Sequence, residues 1–590
     1  MLRVLITSLV VPIFSQSIAS GKITLLPKKL HTYIYNFLCV LLTYSFFNVI
    51  FWQYEFNFLI VITLFYIISL IMYYIHEFRG TNINFSDILS INTAKEVAGG
   101  YTYEIRPIFV FCFLIILIEY IIQIVYNKID LLYYYNTGFK SINNEYMSLY
   151  RYFLHEIAQF LLFIFIFNVL RDIISINKYD YSLMAGEKEG YIYNFFSSMQ
   201  VFHKNKEVLS GNNYEENSDF QSSIEVNYEP TFNSLFTENA HKFDNIKDIT
   251  KPHVIVIMNE SFGSVHNRIK TNIVVTPYYD SLKNVIKGDL YVNTFGGGTA
   301  NTEFEFLTGM TIGNYPYPVM PYNNFVKRDK YSLARYFNHF GYQTVAMHPY
   351  TATNYNRDKV YKRFGFDELL FFDDFKDKKY VRNYTSDLSM YEEVIRRFEI
   401  IKGDNKKAFI FGITMQNHSG YNSFDGQEIK SLFDGNDSIK HKESLDAYLS
   451  LMKISDSAIK LLIDYFKSEK DPVVLLFFGD HNASFGTDIN KLVYDNNFEY
   501  ECTNTYVTPF FIYNNKSDNN KQIKCVSANF LSLELLNEVG LPYDNVHQLL
   551  DSVYKNYSIY NFHKMKGPND DTMLDIPYDD LMKYEKEYLK

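Results

Sequence analysis

LYVNTFGGGTANTEFEFLTGM, from Leu290 to Met310, is the stretch of sequence that decides the fold of the C-terminal half of this chain. Its apolar start, Leu290 to Phe295, predicts a strand. Gly296 to Gly298 predict a tight turn, because glycine adopts backbone conformations that other residues avoid. Apolar residues at helical spacing then follow Thr299. The pattern is strand, glycine turn and helix, with Thr299 at the start of the helix.

Thr299 is a candidate nucleophile because of this position. The first turn of a helix offers free backbone N–H groups and the positive end of the helix dipole, which together favour an anion. The same field favours the alkoxide form of a threonine hydroxyl. A plain N-cap role for Thr299 is the alternative, since threonine is a common N-cap residue.

From His253 onward, short apolar strands alternate with helical stretches, which predicts a mostly parallel sheet covered by helices on both faces. This is an α/β arrangement. The predicted strands are Val254–Met258, Leu290–Phe295, Thr344–Met347, Ala408–Thr414, Val473–Phe478 and Thr508–Tyr513. The predicted helices between them are Tyr278–Ile286, Ser332–Phe340, Tyr391–Phe398 and Leu445–Phe466.

Polar residues follow five of these strands at the same end. They are Glu260, Thr299, His348, His418 and the pair Asp480-His481. In open α/β sheets the ligand site lies outside the carboxyl ends of the strands, so these side chains are expected to meet. Each residue alone is more often structural, but five together indicate a site.

The types of ligand indicate a metal centre that acts on phosphate. Glu260, Asp480, His481 and the Thr299 oxygen offer one nitrogen and three oxygens, which suits Zn²⁺ or Mn²⁺. A metal there lowers the pKa of the threonine hydroxyl and neutralises phosphate charge. Two histidines and an arginine remain to hold phosphate oxygens or protonate a leaving group, namely His348, His418 and Arg357.

The first 171 residues differ from the rest, because they contain long apolar runs close to the length that crosses a bilayer. The predicted spans are Phe37–Trp52, Phe58–Ile75, Ile108–Tyr126 and Phe153–Leu170, with Val4–Ala19 as a fifth that also resembles a signal segment. Lys and Arg in the loops do not decide the orientation. The net charge of −10 argues against a nucleic-acid-binding protein.

The predicted organisation has four parts. Residues 1–175 form a transmembrane domain of about five spans, with an interfacial loop or helix at 79–106. Residues 176–250 form a linker with a helix around Tyr191–Phe202, residues 251–560 form the catalytic domain, and residues 561–590 are a tail. Pairing of Cys502 with Cys525 is open, and so is cleavage of the linker.

Several motifs together resemble the lipoteichoic acid synthase family of membrane phosphoglycerol transferases, within the alkaline phosphatase and sulfatase-like superfamily. They are NESF at 259–262, GGGTANTEFEFLTG at 296–309, NYNRDKVYKRFGFDE at 354–368, MQNHSGY at 415–421 and GDHNASFG at 479–486. The loop beginning RGT at Arg79 and the multi-span N-terminus also match. The resemblance covers nearly the whole chain.

The resemblance implies a role for each matching residue. Thr299 looks like the nucleophile, and Glu260, Thr299, Asp480 and His481 look like the ligands of a divalent metal. Manganese is the usual metal, with Zn²⁺ or Mg²⁺ as alternatives. The glycerol-phosphate pocket would contain His348, Tyr355, Arg357 and His418. This chain departs from the family pattern at Tyr355, which replaces a Trp, at Tyr350, which replaces an acidic residue, and at Asn354, which replaces a Phe.

The activity implied is transfer of glycerol phosphate from phosphatidylglycerol to a membrane-anchored glycerophosphate or glycolipid acceptor. The catalytic domain would lie outside the cell membrane of a Gram-positive-type bacterium. A phosphoethanolamine transferase is the alternative enzyme, although it would need more histidine ligands and several disulfides. A sulfatase would need a formylglycine motif, and the sequence around Thr299 does not contain one. Loss of a metal ligand would mark a non-catalytic regulator, and none of the four ligands is lost. The acceptor and the oligomeric state stay open.

Overall fold

The computed structural model describes residues 2–21, 30–50, 54–79, 83–90, 103–137, parts of 157–168, 191–199, 251–312, 320–433, 441–494 and 504–555, and three short strands near the C-terminus. These residues belong to two compact units, one N-terminal and one C-terminal, divided near residue 204. The first unit is helical. The second unit contains the predicted sheet.

The first unit contains four long helices, of which three are apolar and long enough to cross a membrane. The helices are α1 (Leu2–Ser20), α2 (Leu30–Ile50), α3 (Tyr54–Arg79) and α4 (Pro107–Thr137), and a 3₁₀ turn occupies Phe85–Ser90. The apolar segments, Tyr33–Ile50, Asn57–Glu77 and Pro107–Val125, match three of the predicted spans. They indicate a membrane-anchored protein. The predicted span Phe153–Leu170 lies mostly outside the described residues.

A short helix, α5 at residues 191–199, packs into this first unit. Its N-terminal amides are capped by side chains of other helices, since Gln16 Oε1 accepts from Tyr191 N at 3.3 Å and Asn36 Oδ1 accepts from Tyr193 N at 2.9 Å. Ile192 is buried against Val11 and Cys39. The helix predicted in the linker therefore exists, and it belongs to the core of the N-terminal unit.

The second unit is built on an eight-stranded sheet with the order β12-β3-β11-β10-β1-β8-β4-β5. Only β11 runs against the others, since β10 and β3 each pair with it antiparallel and the remaining pairs are parallel. The predicted mostly parallel sheet is confirmed. The strands are β1 (His253–Asn259), β3 (Val285–Tyr291), β4 (Tyr342–Met347), β5 (Glu368–Leu370), β8 (Lys407–Ile413), β10 (Val473–Gly479), β11 (Val507–Asn514) and β12 (Lys521–Ser527).

Short strand pairs and helices complete this unit. The pairs join β2 (Lys270–Thr271) to β9 (Ser431–Leu432) and β6 (Tyr380–Val381) to β7 (Tyr384–Thr385), and β13 to β15 (Ile559–Tyr560, Met565–Lys566, Met573–Leu574) form a small sheet. The helices are α6 (Pro277–Ser281), α7 (Thr299–Thr308), α8 (Pro321–Asn324), α9 (Leu333–His339), α10 (Arg357–Phe364), α11 (Asp387–Gly403), α12 (Lys442–Ser468), α13 (Thr487–Val493), α14 (Leu531–Val539) and α15 (Asn545–Tyr554).

Both faces of the sheet are covered, which explains why the interiors of its central strands are apolar. In β1, Val254 and Val256 face one buried cluster while Ile255 and Ile257 face the other. Period-2 alternation of side chains makes this division unavoidable in a strand. Helix α7 packs on the first face, where the Phe306 ring lies 5.1 Å from the Phe478 ring.

The structure corrects two details of the sequence prediction. Strand β3 covers Val285–Tyr291, so the predicted helix ends early, at Ser281, and the predicted strand Leu290–Phe295 begins five residues too late. The β-branched Val285 and Ile286 pair with β11, which stabilises the extended backbone. The sequence prediction also missed two strands, the three-residue β5 and the partly polar edge strand β12.

Candidate metal and phosphate site

The carboxyl ends of five strands supply the candidate site. Glu260 follows β1, His348 follows β4, and Asp480 and His481 follow β10. His418 lies in the loop after β8, and Thr299 starts α7 eight residues after β3. The strands β10, β1, β8 and β4 are consecutive neighbours in the sheet. Their loops therefore form a continuous row of polar side chains along one edge.

Glu260, Asp480 and His481 form a buried group whose ligand atoms all lie within 4.8 Å of one another. His481 Nε2 lies 3.2 Å from Asp480 Oδ2 and 3.6 Å from Glu260 Oε1. The other ring nitrogen of His481 lies 3.1 Å from the carbonyl oxygen of Asn482. That contact lets Nδ1 donate to the carbonyl oxygen and leaves Nε2 facing the two carboxylates.

The donors of this group fit a divalent metal. Asp480 Oδ2 and His481 Nε2 are buried and, although they lie 3.2 Å apart, neither has a hydrogen-bond partner of good geometry among the residues that the structure describes; a cation bound between them would satisfy both. Asp480 Oδ1 is occupied instead, since it accepts from the backbone N–H groups of Ser261 at 2.7 Å and His481 at 2.8 Å. One carboxylate oxygen is thus held by the backbone and the other is left for a ligand.

The electrostatics of the carboxylates agree with this fit. Burial raises the pKa of Glu260, and the nearby Asp480 raises it further. Burial also raises the pKa of Asp480. Two buried carboxylates side by side disfavour their own charged forms, and a bound dication reverses that preference.

Thr299 is placed beside this group by the glycine turn. All three glycines have positive φ, of 68°, 151° and 87°, and Gly298 is the N-cap of α7. A Cβ on Gly298 would lie 2.5 Å from Thr294 Oγ1, so both the backbone and the space require glycine. Thr299 Oγ1 donates to Glu260 Oε2 at 3.2 Å, and the residue is 6% exposed. The hydroxyl of Thr299 therefore faces the candidate metal ligands. The N-cap of α7 is Gly298, so no side chain caps this helix.

The two histidines of the predicted pocket are neutral in this environment. Burial lowers the pKa of His348 well below its usual value, helped by the positive charge of Arg357, and His348 Nδ1 lies 3.3 Å from the Ile413 carbonyl oxygen. Burial also lowers the pKa of His418. The Tyr384 hydroxyl lies 3.3 Å from His418 Nδ1, which leaves Nε2 of His418 for other contacts.

Arg357 begins α10 and is 1% exposed. Its guanidinium forms an ion pair with Glu303, and Nη1 donates to Asn354 Oδ1 at 3.0 Å. The Tyr355 ring lies beneath the guanidinium, 5.0 Å from its central carbon. Tyr355 itself has a left-handed backbone, with φ of 54°. The residue that replaces the family's Trp therefore keeps a stacking contact on the arginine.

Sequence reasoning missed three residues that support the pocket, namely Glu303, Arg382 and Tyr384. Arg382 clamps the loop of His418, since its guanidinium donates to the carbonyl oxygens of Gln416 at 2.8 Å, His418 at 2.7 Å and Gly420 at 2.9 Å. The signal for Glu303 was available, because a charged residue in the apolar run of α7 has to be paired if it is buried. Nothing in the sequence distinguished Arg382 from other surface cations.

A buried polar network behind the metal group fixes the same loop. Asp387 at the start of α11 accepts from Asn259 at 2.8 Å and from Ser455 at 2.5 Å. Gln416 and Asn417 also donate to Ser455, at 3.1 Å and 2.9 Å. The end of β1, the loop after β8 and helices α11 and α12 are therefore tied together by hydrogen bonds directly behind Glu260.

Comparison with known proteins gives one match to a family model. Residues 252–540 match the family described as Sulfatase. This region contains the large sheet and the metal group. The aligned region therefore lies within the second compact unit.

Among curated proteins, a putative cyclic beta-1,2-glucan modification protein of Rhizobium meliloti (strain 1021) is 29% identical over 328 residues, which is 54% of this chain and 50% of that protein. Lipoteichoic acid synthase 1 of Bacillus subtilis (strain 168) is 26% identical over 286 residues, 45% of this chain and 41% of that protein. The chain thus spans about half the length of the curated relatives it matches.

Among solved structures, the Streptococcus pyogenes phosphoglycerol transferase GacH in complex with sn-glycerol-1-phosphate aligns with a TM-score of 0.49 at 22% identity. The alignment covers 62% of this chain and 93% of that chain.

Proposed function

We propose, on the premise that residues 252–540 are a sulfatase-family domain of the alkaline phosphatase-like type, that this chain is a metal-dependent phosphoglycerol transferase. In more general terms, the protein is a membrane-anchored enzyme of phosphoester transfer. The donor is phosphatidylglycerol, whose headgroup carries the glycerol phosphate. The single observation that supports this best is the position of Thr299 Oγ1, at a helix start and 3.2 Å from Glu260 Oε2, beside the two unpartnered ligand atoms of Asp480 and His481.

The proposed reaction has two displacements at phosphorus. Thr299 Oγ forms a bond to the phosphorus, the bond from phosphorus to the diacylglycerol oxygen breaks, and that oxygen takes the proton. The product is diacylglycerol and a glycerophospho-threonine. An acceptor hydroxyl then attacks the same phosphorus, the Thr299 ester bond breaks, and the acceptor's proton returns to the threonine oxygen.

The residues divide these tasks between them. Glu260, Thr299, Asp480 and His481 would hold the metal, for which we favour Mn²⁺ over Zn²⁺ and Mg²⁺. When bound, that metal supplies charge neutralisation at the phosphate and a lowered pKa for the threonine hydroxyl. Arg357 and His348 would bind phosphate and glycerol oxygens, with Tyr355 stacked on the arginine. His418, neutral through burial, would exchange a proton with the leaving or entering oxygen.

For the acceptor we propose a hydroxyl of a membrane-anchored or extracytoplasmic glycan. The name of the Rhizobium relative refers to modification of a glucan, and that of the Bacillus relative refers to lipoteichoic acid. A sugar hydroxyl is the acceptor chemistry that a glycan, a glycolipid primer and a glycosylated polymer have in common. The catalytic domain then lies on the outer side of the membrane, where such acceptors and phosphatidylglycerol meet.

The test uses the full chain in detergent, phosphatidylglycerol labelled in the headgroup glycerol, and Mn²⁺. With no acceptor added, we expect labelled glycerol phosphate on Thr299, detected by mass spectrometry of the peptide, together with released diacylglycerol. Thr299→Ala should abolish both products, and Thr299→Ser should restore part of them because a hydroxyl returns. The matched control is Thr308→Ala on the same helix, whose hydroxyl donates to the Phe304 carbonyl oxygen and accepts from the Met310 amide.

Two results would count against the proposal. Turnover of Thr299→Ala at the wild-type rate would remove the covalent route. Labelling from phosphatidylethanolamine, with none from phosphatidylglycerol, would keep the route and replace the donor.

A further inference from the structure

Glu303 is a buried carboxylate that connects the nucleophile's helix to the predicted pocket arginine. It lies four residues after Thr299 on α7, so the two side chains project from the same side of that helix, one turn apart. Glu303 is 0% exposed, and Arg357, at the start of α10, is 1% exposed. A single side-chain pair thus joins two separate elements of the site.

The contact is a fork-to-fork ion pair. Arg357 Nε donates to Glu303 Oε1 at 3.1 Å and to Oε2 at 3.2 Å, and Nη2 donates to Oε1. Two such parallel bonds fix the plane of the guanidinium as well as its position. A lysine in place of the arginine would lack that fixed plane.

The remaining oxygen capacity of Glu303 is filled by two tyrosines. Tyr322 donates to Oε2 at 3.1 Å, and the Tyr361 hydroxyl donates to the same oxygen. Burial and the Glu303 charge raise the pKa of both tyrosines well above the usual value, so both remain donors. The carboxylate is therefore surrounded by donors from two elements, Tyr322 on α8 and Arg357 and Tyr361 on α10.

The guanidinium is used only in part by these contacts. An arginine side chain has five N–H bonds. Three of them go to Glu303 and Asn354, through Nε, one bond of Nη2 and one bond of Nη1. The Tyr361 side chain is a further hydrogen-bond partner of the guanidinium, which leaves one N–H for a ligand, while Tyr355 covers a face of the group. The burial of this ion pair does not by itself indicate that the pair is there for stability, because apolar residues of similar volume often stabilise a protein equally well.

We infer that Glu303 is a positioning residue for phosphate recognition, because it holds Arg357 at a fixed orientation and at a fixed distance from Thr299. This rests on the proposed function, in which Arg357 binds the phosphate of the donor. The ligand is a glycerophosphate monoester or diester. Its phosphate must lie within reach of both the threonine oxygen and the remaining N–H of the arginine.

The test is glycerol phosphate binding to the full chain in detergent with saturating Mn²⁺, measured by calorimetry for wild type, Glu303→Gln, Glu305→Gln and Arg357→Lys. Glu303→Gln keeps the shape but presents an amide N–H to a site full of donors, so the arginine loses its orientation. We expect glycerol phosphate affinity to fall at least tenfold in Glu303→Gln and Arg357→Lys. Affinity for Mn²⁺ should stay within twofold of wild type.

Glu305→Gln is the matched control. Glu305 lies on the same helix, is 1% exposed, and accepts from Asn293 at 2.7 Å, Thr311 at 2.9 Å and the Ile312 amide at 2.9 Å, all outside the arginine cluster. A purely structural role for buried carboxylates on α7 would affect both variants alike. We expect Glu305→Gln to bind glycerol phosphate as wild type does.

The outcomes separate this inference from the proposed function. If wild type binds glycerol phosphate and Arg357→Lys weakens it, but Glu303→Gln binds normally, the positioning role is wrong while the function stands. If wild type does not bind glycerol phosphate at all, the proposed donor is wrong. Should Glu303→Gln fail to fold, Glu303→Asp keeps the charge but shortens the side chain, so the carboxylate no longer holds the guanidinium at the same place; an affinity for glycerol phosphate equal to wild type in that folded variant would overturn the inference.

Discussion

Replacing Asp480 by Asn should move stability in opposite directions with and without metal. Asp480 Oδ1 accepts two backbone N–H groups, and Asn can keep both through its amide oxygen. The Oδ2 atom has no hydrogen-bond partner and lies among the ligand atoms of Glu260 and His481. The substitution therefore removes one of the two carboxylate charges that lie beside the His481 ring.

The size of the metal-free effect follows from the geometry. The ligand oxygens of Glu260 and Asp480 lie at most 4.8 Å apart. Two full charges at that separation repel by about 3 kcal/mol at an effective dielectric constant of about 20. The raised pKa values of both carboxylates mean that part of this repulsion is already relieved by protonation. A gain of about 1–3 kcal/mol in the free energy of unfolding is therefore expected for Asp480→Asn in chelator.

The metal-bound effect has the opposite sign. A ligand at one hundred times its Kd stabilises the folded state by about 2.7 kcal/mol. Loss of a charged ligand weakens metal affinity tenfold or more, and each factor of ten removes about 1.4 kcal/mol of that stabilisation. Wild type should therefore gain stability on Mn²⁺ addition, whereas Asp480→Asn should gain little.

The assay is thermal denaturation of the full chain in detergent, with chelator and with a Mn²⁺ series. We expect Asp480→Asn to melt above wild type in chelator, and the order to reverse at high Mn²⁺. A variant that melts below wild type in chelator and still responds to Mn²⁺ as wild type does would show that Asp480 is a structural carboxylate.

Two further predictions concern the same domain. Burial raises the pKa of Glu305 from 4.5 to about 7. Protonated Glu305 therefore stabilises the folded state fully below pH 4.5, and about 3 kcal/mol of the free energy of unfolding is lost as the pH rises to 7. Denaturant titrations across this range should show a free energy of unfolding that falls with pH in wild type and not in Glu305→Gln; equal slopes in the two proteins would refute the shift. Residues 251–560 should express as a soluble folded domain because the second compact unit contains its own core, and insolubility of every fragment that begins between 190 and 250 would contradict this boundary.

The sequence predicted those features that depend on local pattern. The apolar runs of β1 and β10 identify buried strands because both faces of each are covered. The glycines before Thr299 identify the turn because all three adopt positive φ. Where apolar periodicity was weak, the prediction failed. Edge strand β12 mixes polar and apolar residues. Val285 and Ile286 fit the end of a helix by local pattern, and only their pairing with β11 makes them a strand.

Other features depend on partners that are remote in the sequence, so no local pattern could reveal them. The Glu303 to Arg357 ion pair joins residues 54 positions apart. Helix α5 is apolar enough to be predicted. Its N-terminal N–H groups, however, are capped by Gln16 and Asn36, which are more than 150 positions away. A buried polar side chain in an apolar helix indicates that some partner exists. It does not say which one.

The spatial order of the strands, which cannot be read from the sequence, determines the order of the polar side chains along the site. The candidate metal ligands follow β10 and β1, which are adjacent, and His418 after β8 and His348 after β4 come next in the same direction. Thr299 reaches the same group from β3, which lies beyond the antiparallel β11, because α7 packs on the sheet face. In the function that we propose, the phosphate would therefore bind at the β10 and β1 end, beside Thr299. The glycerol would extend toward β4, where Arg357 is held by Glu303 on the same helix as Thr299.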